Sequence, residues 1–345
     1  MHAAVLLGPE RLEVRRVPVP RPAAGEVLVR IRAATTCGTD VKVFRRGGHP
    51  RMLQVPTLFG HEMAGTVEQV GTGVSGVAPG DAVVIANSAA CGQCRRCRQG
   101  RENLCPRIEY LNGAFAQYVL VPPRFVTRSL HRIPPGLAFE RAALAEPLAC
   151  VLHGLDACAL SPGHDAEVVV YGAGPIGLLF VAALARERHR VLLADPNPGR
   201  LAVGTRMGAA ATLCIARGGG QAAAVRAATR DGEGADVAVD CTGMPEVWLD
   251  AIGTVRSGGL VNLFGGCAPG TSVPLDTQRL HYEEITIKGV YHHHPATFAR
   301  ALELLGDPGF PAGELLSATR PIAALEDALR SMMRKETLKV VITPH

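Results

Sequence analysis

At 345 residues, with 47% hydrophobic and 19% charged side chains, the chain is too long for one small domain and too apolar to be a disordered one. The net charge of +5 comes from scattered basic residues, and neither Arg45–Arg46–Arg51 nor Arg95–Arg96–Arg98–Arg101 alternates with aromatics, which argues against a nucleic-acid stacking platform. The opening MHAAVLLGPERLEV lacks a charged start followed by a long apolar run, so the ten cysteines are expected in a reducing cytoplasm, as metal ligands and core residues rather than disulfides.

Residues 1–150 read mainly as β. AAVLLG, LEVRRVPV, GEVLVRIRAAT, GTVEQVG and DAVVIAN are short apolar-alternating runs broken by Gly and Pro. Within them lie CGTD (Cys37, Thr39), GHEMAG (His61, Glu62) and CGQCRRCRQGRENLC, which places Cys91, Cys94, Cys97 and Cys105 in one short loop. Four thiolates would close a tetrahedral metal site and leave no position for a substrate. Further on, AEPLAC supplies Glu146 and, one helical turn later, Cys150. Taken one by one, these Cys, His and Glu residues are equally compatible with unrelated core and surface positions.

From Val168 the pattern changes. Residues 168–185 contain no charge and are long enough to span a bilayer, yet the three spaced glycines and a proline after a β-branched run predict strand, tight turn and buried helix instead. EVVVYGAG, RVLLAD, ATLCI, DVAVDCTG and GLVNLFGG then alternate with helical segments, the signature of a doubly wound parallel sheet. YGAGPIG carries Gly172, Gly174 and Gly177 in G-x-G-x-x-G spacing, with Pro175 and Ile176 opening the helix and Asp195 closing the next strand. In that arrangement Gly172 serves the turn, Gly174 the backbone's approach to a pyrophosphate and Gly177 helix–strand packing. Asp195 would bind the ribose hydroxyls and disfavour a 2′-phosphate, so NAD is expected rather than NADP. After ITIKGVY come the helical segments PATFARALELL and PIAALEDALRSMMR and a closing strand, LKVVITP.

The order CGTD, GHE, four-cysteine loop, EPLA, GAGPIG resembles the zinc-dependent medium-chain dehydrogenases over nearly the whole chain, and within them the polyol, sorbitol and threonine dehydrogenase branch. The resemblance implies an α/β protein. A GroES-like, mostly β catalytic domain (1–150, with a structural-zinc lobe at about 88–108) would be followed by a Rossmann doubly wound parallel-sheet domain (151–289), with a return to the catalytic domain in 290–345. It implies two zinc ions per chain. Cys37, His61, Glu62 and Glu146 would hold the catalytic one, Glu146 directly or through water in preference to Cys150, while the four-cysteine loop would hold the structural one.

It also implies NAD contacts from Arg200, Thr242 and Tyr291, catalytic roles for Thr39, Lys42 and Glu146, and a homotetramer or homodimer. The implied reaction is reversible oxidation of a secondary alcohol, with zinc as Lewis acid and Thr39 relaying the hydroxyl proton. Lys42 stands where polyol relatives commonly carry the outer histidine of that relay, and Val43 and the run His292–His293–His294 replace an aromatic and an arginine. A sugar, another polyol or an aminocyclitol is therefore expected rather than ordinary sorbitol, with His292 or His293 contacting a substrate group away from the reacting carbon. In an extended run, neighbouring rings would point to opposite faces, so the three histidines are not expected to share one metal ion. Three other readings remain: a threonine-type amino alcohol dehydrogenase, a zinc-free NADPH quinone reductase and a nucleic-acid-binding zinc protein. The expected partner is a small-molecule alcohol, with neither nucleic acid nor membrane involved.

Overall fold

The structure is a computed structural model that describes every residue except 162 and 164. The chain divides into two units: Met1–Ala149 with His293–Pro308 and Leu315–His345, and Cys150–His292 with Gly309–Glu314.

The first unit is organised by the strand Val27–Thr35. Its Val, Ile and Ala side chains are buried along nearly its whole length, so it reads as a central strand. It pairs antiparallel with Glu62–Val70, with Tyr118–Val121 and with Lys339–Thr343, which brings the far end of the chain beside its beginning. Phe44, Phe59 and Phe115 fill the core with Ile31, Val67, Leu325 and Ile342, and the Phe59 and Phe115 rings meet edge to face at 5.7 Å. Helices are more numerous here than the β-rich sequence pattern suggests. Gly38–Arg46 is one of them, started by Cys37: the Asp40 carboxylate accepts the Cys37 backbone N–H (2.9 Å), a reciprocal cap at the first turn.

A buried ion pair ties the strands of this sheet together. Lys339, 1% exposed, donates from Nζ to Glu62 Oε1 (2.8 Å), Glu62 Oε2 (2.5 Å) and the Thr36 carbonyl (2.8 Å), while the Thr35 hydroxyl also donates to Glu62 Oε2. Thr35 is the register partner of both Glu62 and Val341, so the three side chains meet because their strands are neighbours. Burial by itself lowers the Lys339 pKa, but the Glu62 carboxylate, together with Cys37 and Asp40, outweighs it and the net shift is upward.

The second unit is a six-stranded parallel sheet in the order Ala211–Cys214, Arg190–Asp195, Glu167–Tyr171, Ala235–Asp240, Val255–Leu263, Thr286–Gly289. The chain begins at Glu167–Tyr171, works outward to one edge and returns to build the other half, which creates a topological switch point beside that first strand. The apolar stretch 168–185 is divided between the strand Glu167–Tyr171 and the helix Pro175–Arg186, and among the described residues no helix is long and apolar enough to cross a membrane. Gly172 turns the chain at φ +98°, and a Cβ on Gly177 would lie 1.8 Å from the Gly172 carbonyl oxygen, so the helix packs against the turn only with glycine there.

Replacing Lys339 with Met strands a buried carboxylate. Lys339→Met is expected to destabilise the first unit by about 3–5 kcal/mol, and Lys339→Met with Glu62→Leu to recover part of that loss, because removing both charges leaves no unpaired charge, only the neutral Thr35 hydroxyl and Thr36 carbonyl without these partners. Thermal unfolding of metal-free protein checks this. An unchanged Tm in the single variant would contradict it.

Candidate active site

Three potential ligands converge in the first unit. The strand Glu62–Val70 begins just after His61, and Cys37 precedes the helix Gly38–Arg46. One donor atom each from Cys37, His61 and Glu62 lies within 4.8 Å of the others. The His61 ring is buried and its Nδ1 faces Asp40 Oδ1 at 3.0 Å, which leaves Nε2 for a ligand. Burial would lower the His61 pKa, but the Asp40 carboxylate and the Cys37 sulfur reverse that and raise it well above the ordinary value. Asp40 therefore fixes the ring and, through the Cys37 N–H, the start of the helix that carries the sulfur. Thiolate, imidazole and carboxylate in one pocket suit zinc, and three protein donors leave a fourth position for a substrate oxygen. Thr39 lies two residues beyond Cys37, its backbone N–H 3.4 Å from the Cys37 sulfur. Lys42 is exposed on the same helix.

Glu146, buried in the first turn of the helix Ala145–Ala157, falls in a different group: its carboxylate and a His293 ring nitrogen are within 4.8 Å. Cys150, one turn on in the same helix, is buried.

The histidine run is not a strand. His292 adopts the left-handed conformation at φ +63°, and His294 turns back to cap the helix Pro295–Gly306, its ring accepting the Ala296 N–H at 3.2 Å. The cap and Pro295, which opens the helix, impose this bend in place of the extended run expected from the sequence. His293 is buried, its Nε2 lying 3.3 Å from Asn87 Oδ1 and 3.4 Å from Ser88 Oγ.

The four-cysteine loop forms a second, closed group. Its sulfurs lie 3.4 Å (Cys94–Cys97), 3.5 Å (Cys91–Cys105), 3.9 Å (Cys94–Cys105) and 4.0 Å (Cys91–Cys97) apart. Four sulfurs at ~2.3 Å from one zinc would be roughly 3.8 Å from each other, so the donors are already near their positions. Backbone N–H groups of Cys91 and Arg107 each reach the Cys105 sulfur at 3.4 Å, as expected for thiolates awaiting a cation. The Gln93 backbone N–H lowers the Cys91 pKa to about 6, while burial pushes Cys97 up to about 12.

In the second unit, Asp195 accepts the Ala173 N–H on Oδ2 (2.7 Å) and the Asn197 N–H on Oδ1 (2.7 Å). The carboxylate is thus fixed at the end of its strand, against the glycine turn. Gly174 caps the helix Pro175–Arg186 without a side-chain cap bond, and a Cβ there would meet nothing within 4 Å, so protein atoms leave room at a helix N-terminus suited to a pyrophosphate. Pro175 and Ile176 form its first turn. The Thr242 methyl packs close to Gly172 while its hydroxyl donates to Asp240 Oδ1 (2.6 Å). Arg200 lies near Asp195: burial lowers its pKa and the Asp195 carboxylate opposes that shift. Tyr291 is exposed, its ring 5.7 Å from that of His292.

Asp40, Thr35 and Lys339 were not singled out from the sequence. Asp40 had a local signal, lying three residues after the helix-starting Cys37. Lys339 had a weaker one, a lysine beside the apolar run VVIT in a chain with only four lysines.

An alcohol dehydrogenase GroES-like domain model matches residues 23–134 and a zinc-binding dehydrogenase model matches residues 175–307. Sorbitol dehydrogenase of Bacillus subtilis (strain 168) is 30% identical over 100% of this chain and 98% of its own. L-threonine 3-dehydrogenase of Anaeromyxobacter dehalogenans (strain 2CP-C) is 34% identical over 80% of this chain and 78% of its own. The solved structure of alcohol dehydrogenase TADH from Thermus sp. ATN1 superposes with a TM-score of 0.89 at 30% identity, covering 99% of both chains. The chain belongs to the zinc-dependent medium-chain dehydrogenase family, in its polyol and threonine dehydrogenase branch, and is an alcohol dehydrogenase oxidoreductase.

Proposed function

We propose that the protein uses NAD to oxidise a secondary alcohol of a polyol, sugar or aminocyclitol to a ketone, reversibly, with a catalytic zinc at Cys37–His61–Glu62 and a structural zinc at Cys91–Cys94–Cys97–Cys105. The observation that carries this is the contrast between the two donor sets: one has four sulfurs at closed spacing, the other three mixed donors. Only the second has a position to spare for a substrate oxygen. When bound, zinc supplies Lewis acidity toward the alcohol oxygen and the dinucleotide supplies the hydride acceptor.

The chain's own residues do the rest. Asp40 holds the His61 ring in one tautomer. Lys339 and Thr35 orient the Glu62 carboxylate. The Thr39 hydroxyl receives the alcohol proton and passes its own onward toward solvent, and exposed Lys42 is not required to accept it. Glu146 holds a water near the reacting oxygen. His293 or His292 contacts a substrate group away from the reacting carbon, and Gly174 and Asp195, with Arg200, Thr242 and Tyr291, hold the dinucleotide. A cytoplasmic homotetramer or homodimer completes the proposal. A threonine-type amino alcohol is the second reading, supported by the threonine dehydrogenase relative.

A substrate panel separates the two. With NAD and zinc-loaded enzyme, vicinal polyols, sugars and aminocyclitols are expected to give higher kcat/KM than threonine, and the reverse order would install the amino alcohol reading.

Asp195→Ala is expected to weaken NAD binding by one to two hydrogen bonds, about 1–3 kcal/mol, and to narrow the preference over NADP. Equilibrium titration with both cofactors checks this, and an unmodified enzyme that prefers NADP would overturn the assignment of Asp195.

Cys97→Ser is expected to lose the lobe zinc and lower the Tm while the folded fraction keeps most of its kcat, because structural zinc contributes to folding rather than to the chemical step. Full zinc content in the variant would refute the lobe assignment.

A further inference from the structure

The cysteine loop and the histidine run meet at two places, both within the first unit. At the base of the loop, Ser88–Ala89 pairs with Glu109–Tyr110, a short ladder that encloses all four cysteines. His293 is anchored at this base: its buried ring meets Asn87 Oδ1 and Ser88 Oγ and packs against Phe298, with 5.7 Å between ring centroids. The second meeting lies between Cys97 and Cys105, where His294 Nε2 is 3.0 Å from the Gly100 carbonyl oxygen and 2.7 Å from Glu102 Oε2.

The bonding of His294 fixes its proton. A backbone N–H can only donate, so Nδ1, which accepts that of Ala296 at 3.2 Å, is the bare nitrogen. The neutral ring then carries its single proton on Nε2, and both groups facing that atom, a carbonyl and a carboxylate, are acceptors. The backbone is tied as well: the His294 N–H donates to Thr297 Oγ1 (3.1 Å), and the Thr297 hydroxyl donates back to the His294 carbonyl (2.8 Å). One ring thus joins two elements, capping the helix Pro295–Gly306 with one nitrogen and holding the loop with the other.

The two anchors depend on different things. The base rests on strand pairing and on the Ser129 hydroxyl, which donates to the Ser88 carbonyl at 2.7 Å. Gly100 and Glu102 lie outside the strands, in a stretch of local turns whose ends are Cys97 and Cys105. A metal held by those two sulfurs fixes both ends, and with them the place where Gly100 and Glu102 meet His294. We propose that His294 is a positioning residue through which the metal-closed cysteine loop sets the placement of the adjacent His293, so that loading of the structural site tunes affinity for the substrate without entering the chemical step. The substrate half of this rests on the reading that His293 contacts a substrate group.

Asparagine separates the two jobs of His294, because it caps helices well but is too short to reach the loop. Zinc-loaded full-length enzyme labelled with ¹⁵N-histidine reports both rings, each assigned by the signals lost in His293→Gln or His294→Asn. His294 is expected as the Nε2–H tautomer. In Cys97→Ser the His293 ring signals are expected to move. In His294→Asn with Cys97→Ser they are expected to match those of His294→Asn alone, because the connection is already cut. Glu102→Ala leaves the four sulfurs in place and is expected to move the His294 Nε2 signal and the His293 signals together, which keeps the test decisive if Cys97→Ser does not fold. For the panel substrate with the highest kcat/KM, His294→Asn is expected to raise KM about tenfold at unchanged kcat, the loss of roughly one hydrogen bond. A His294 ring protonated on Nδ1 alone, His293 signals unmoved by both Cys97→Ser and Glu102→Ala, or shifts of equal size with and without His294 would overturn the positioning role. Signals that move while KM stays constant would instead remove His293 from the substrate contact, and the effect on substrate affinity with it.

Discussion

The first unit depends on a buried lysine–carboxylate pair that joins residues 277 positions apart in sequence. Removing two charges from water costs several kcal/mol per ion, and attraction between them compensates only if the remaining polar atoms are also satisfied. Here they are: Lys339 adds the Thr36 carbonyl, and Glu62 adds the Thr35 hydroxyl. The pair forms only when Lys339–Thr343 has docked on Val27–Thr35, so the carboxylate beside Cys37 and His61 is in place only once both chain ends share one sheet. This topology gives a reason why the last strand of the chain belongs to the metal-binding unit.

A hydrogen-bonded histidine–carboxylate pair does equivalent work on the neighbouring ligand. His61 and Asp40 face one another at 3.0 Å, both buried. Two acids, Asp40 and Glu62, are thus matched by two bases, His61 and Lys339, around a single cysteine. The donors are held in position by Asp40 and Lys339, and the same partners set which ring nitrogen and which face of the carboxylate are presented. The cysteine loop has a different logic: among the described residues its four sulfurs meet backbone N–H groups, Arg107 and each other, and a metal is what would neutralise them.

The fold class was legible because both halves carry strong local patterns. Alternating short β runs bounded by glycine and proline mark the first, and a β-branched strand running into GAGPIG marks the second. The cysteine loop was legible for a similar reason, since four sulfurs within fifteen residues have little freedom to lie far apart. Lys339 was not legible as Glu62's partner, because strand pairing between positions so distant in sequence leaves no periodicity to read. The histidine run misled for another reason. Read as extended, its rings would alternate, but Pro295 starts a helix and His294 caps it, leaving His292 in a left-handed turn. Whether Glu146 holds the metal directly or through water was not legible either: its carboxylate lies within 4.8 Å of a His293 ring nitrogen, a proximity that residue spacing cannot reveal.

The central claim is that two metal centres of different chemistry exist in this one chain, an open one at Cys37–His61–Glu62 and a closed one in the cysteine loop. Anomalous diffraction from crystals of the zinc-loaded enzyme, collected on both sides of the zinc absorption edge, tests it most directly. The account predicts two zinc peaks per chain, one bounded by four sulfurs with no further ligand and one bounded by Cys37, His61 and Glu62 with a non-protein oxygen completing its coordination. A fully active enzyme with zinc only among the four cysteines would contradict it.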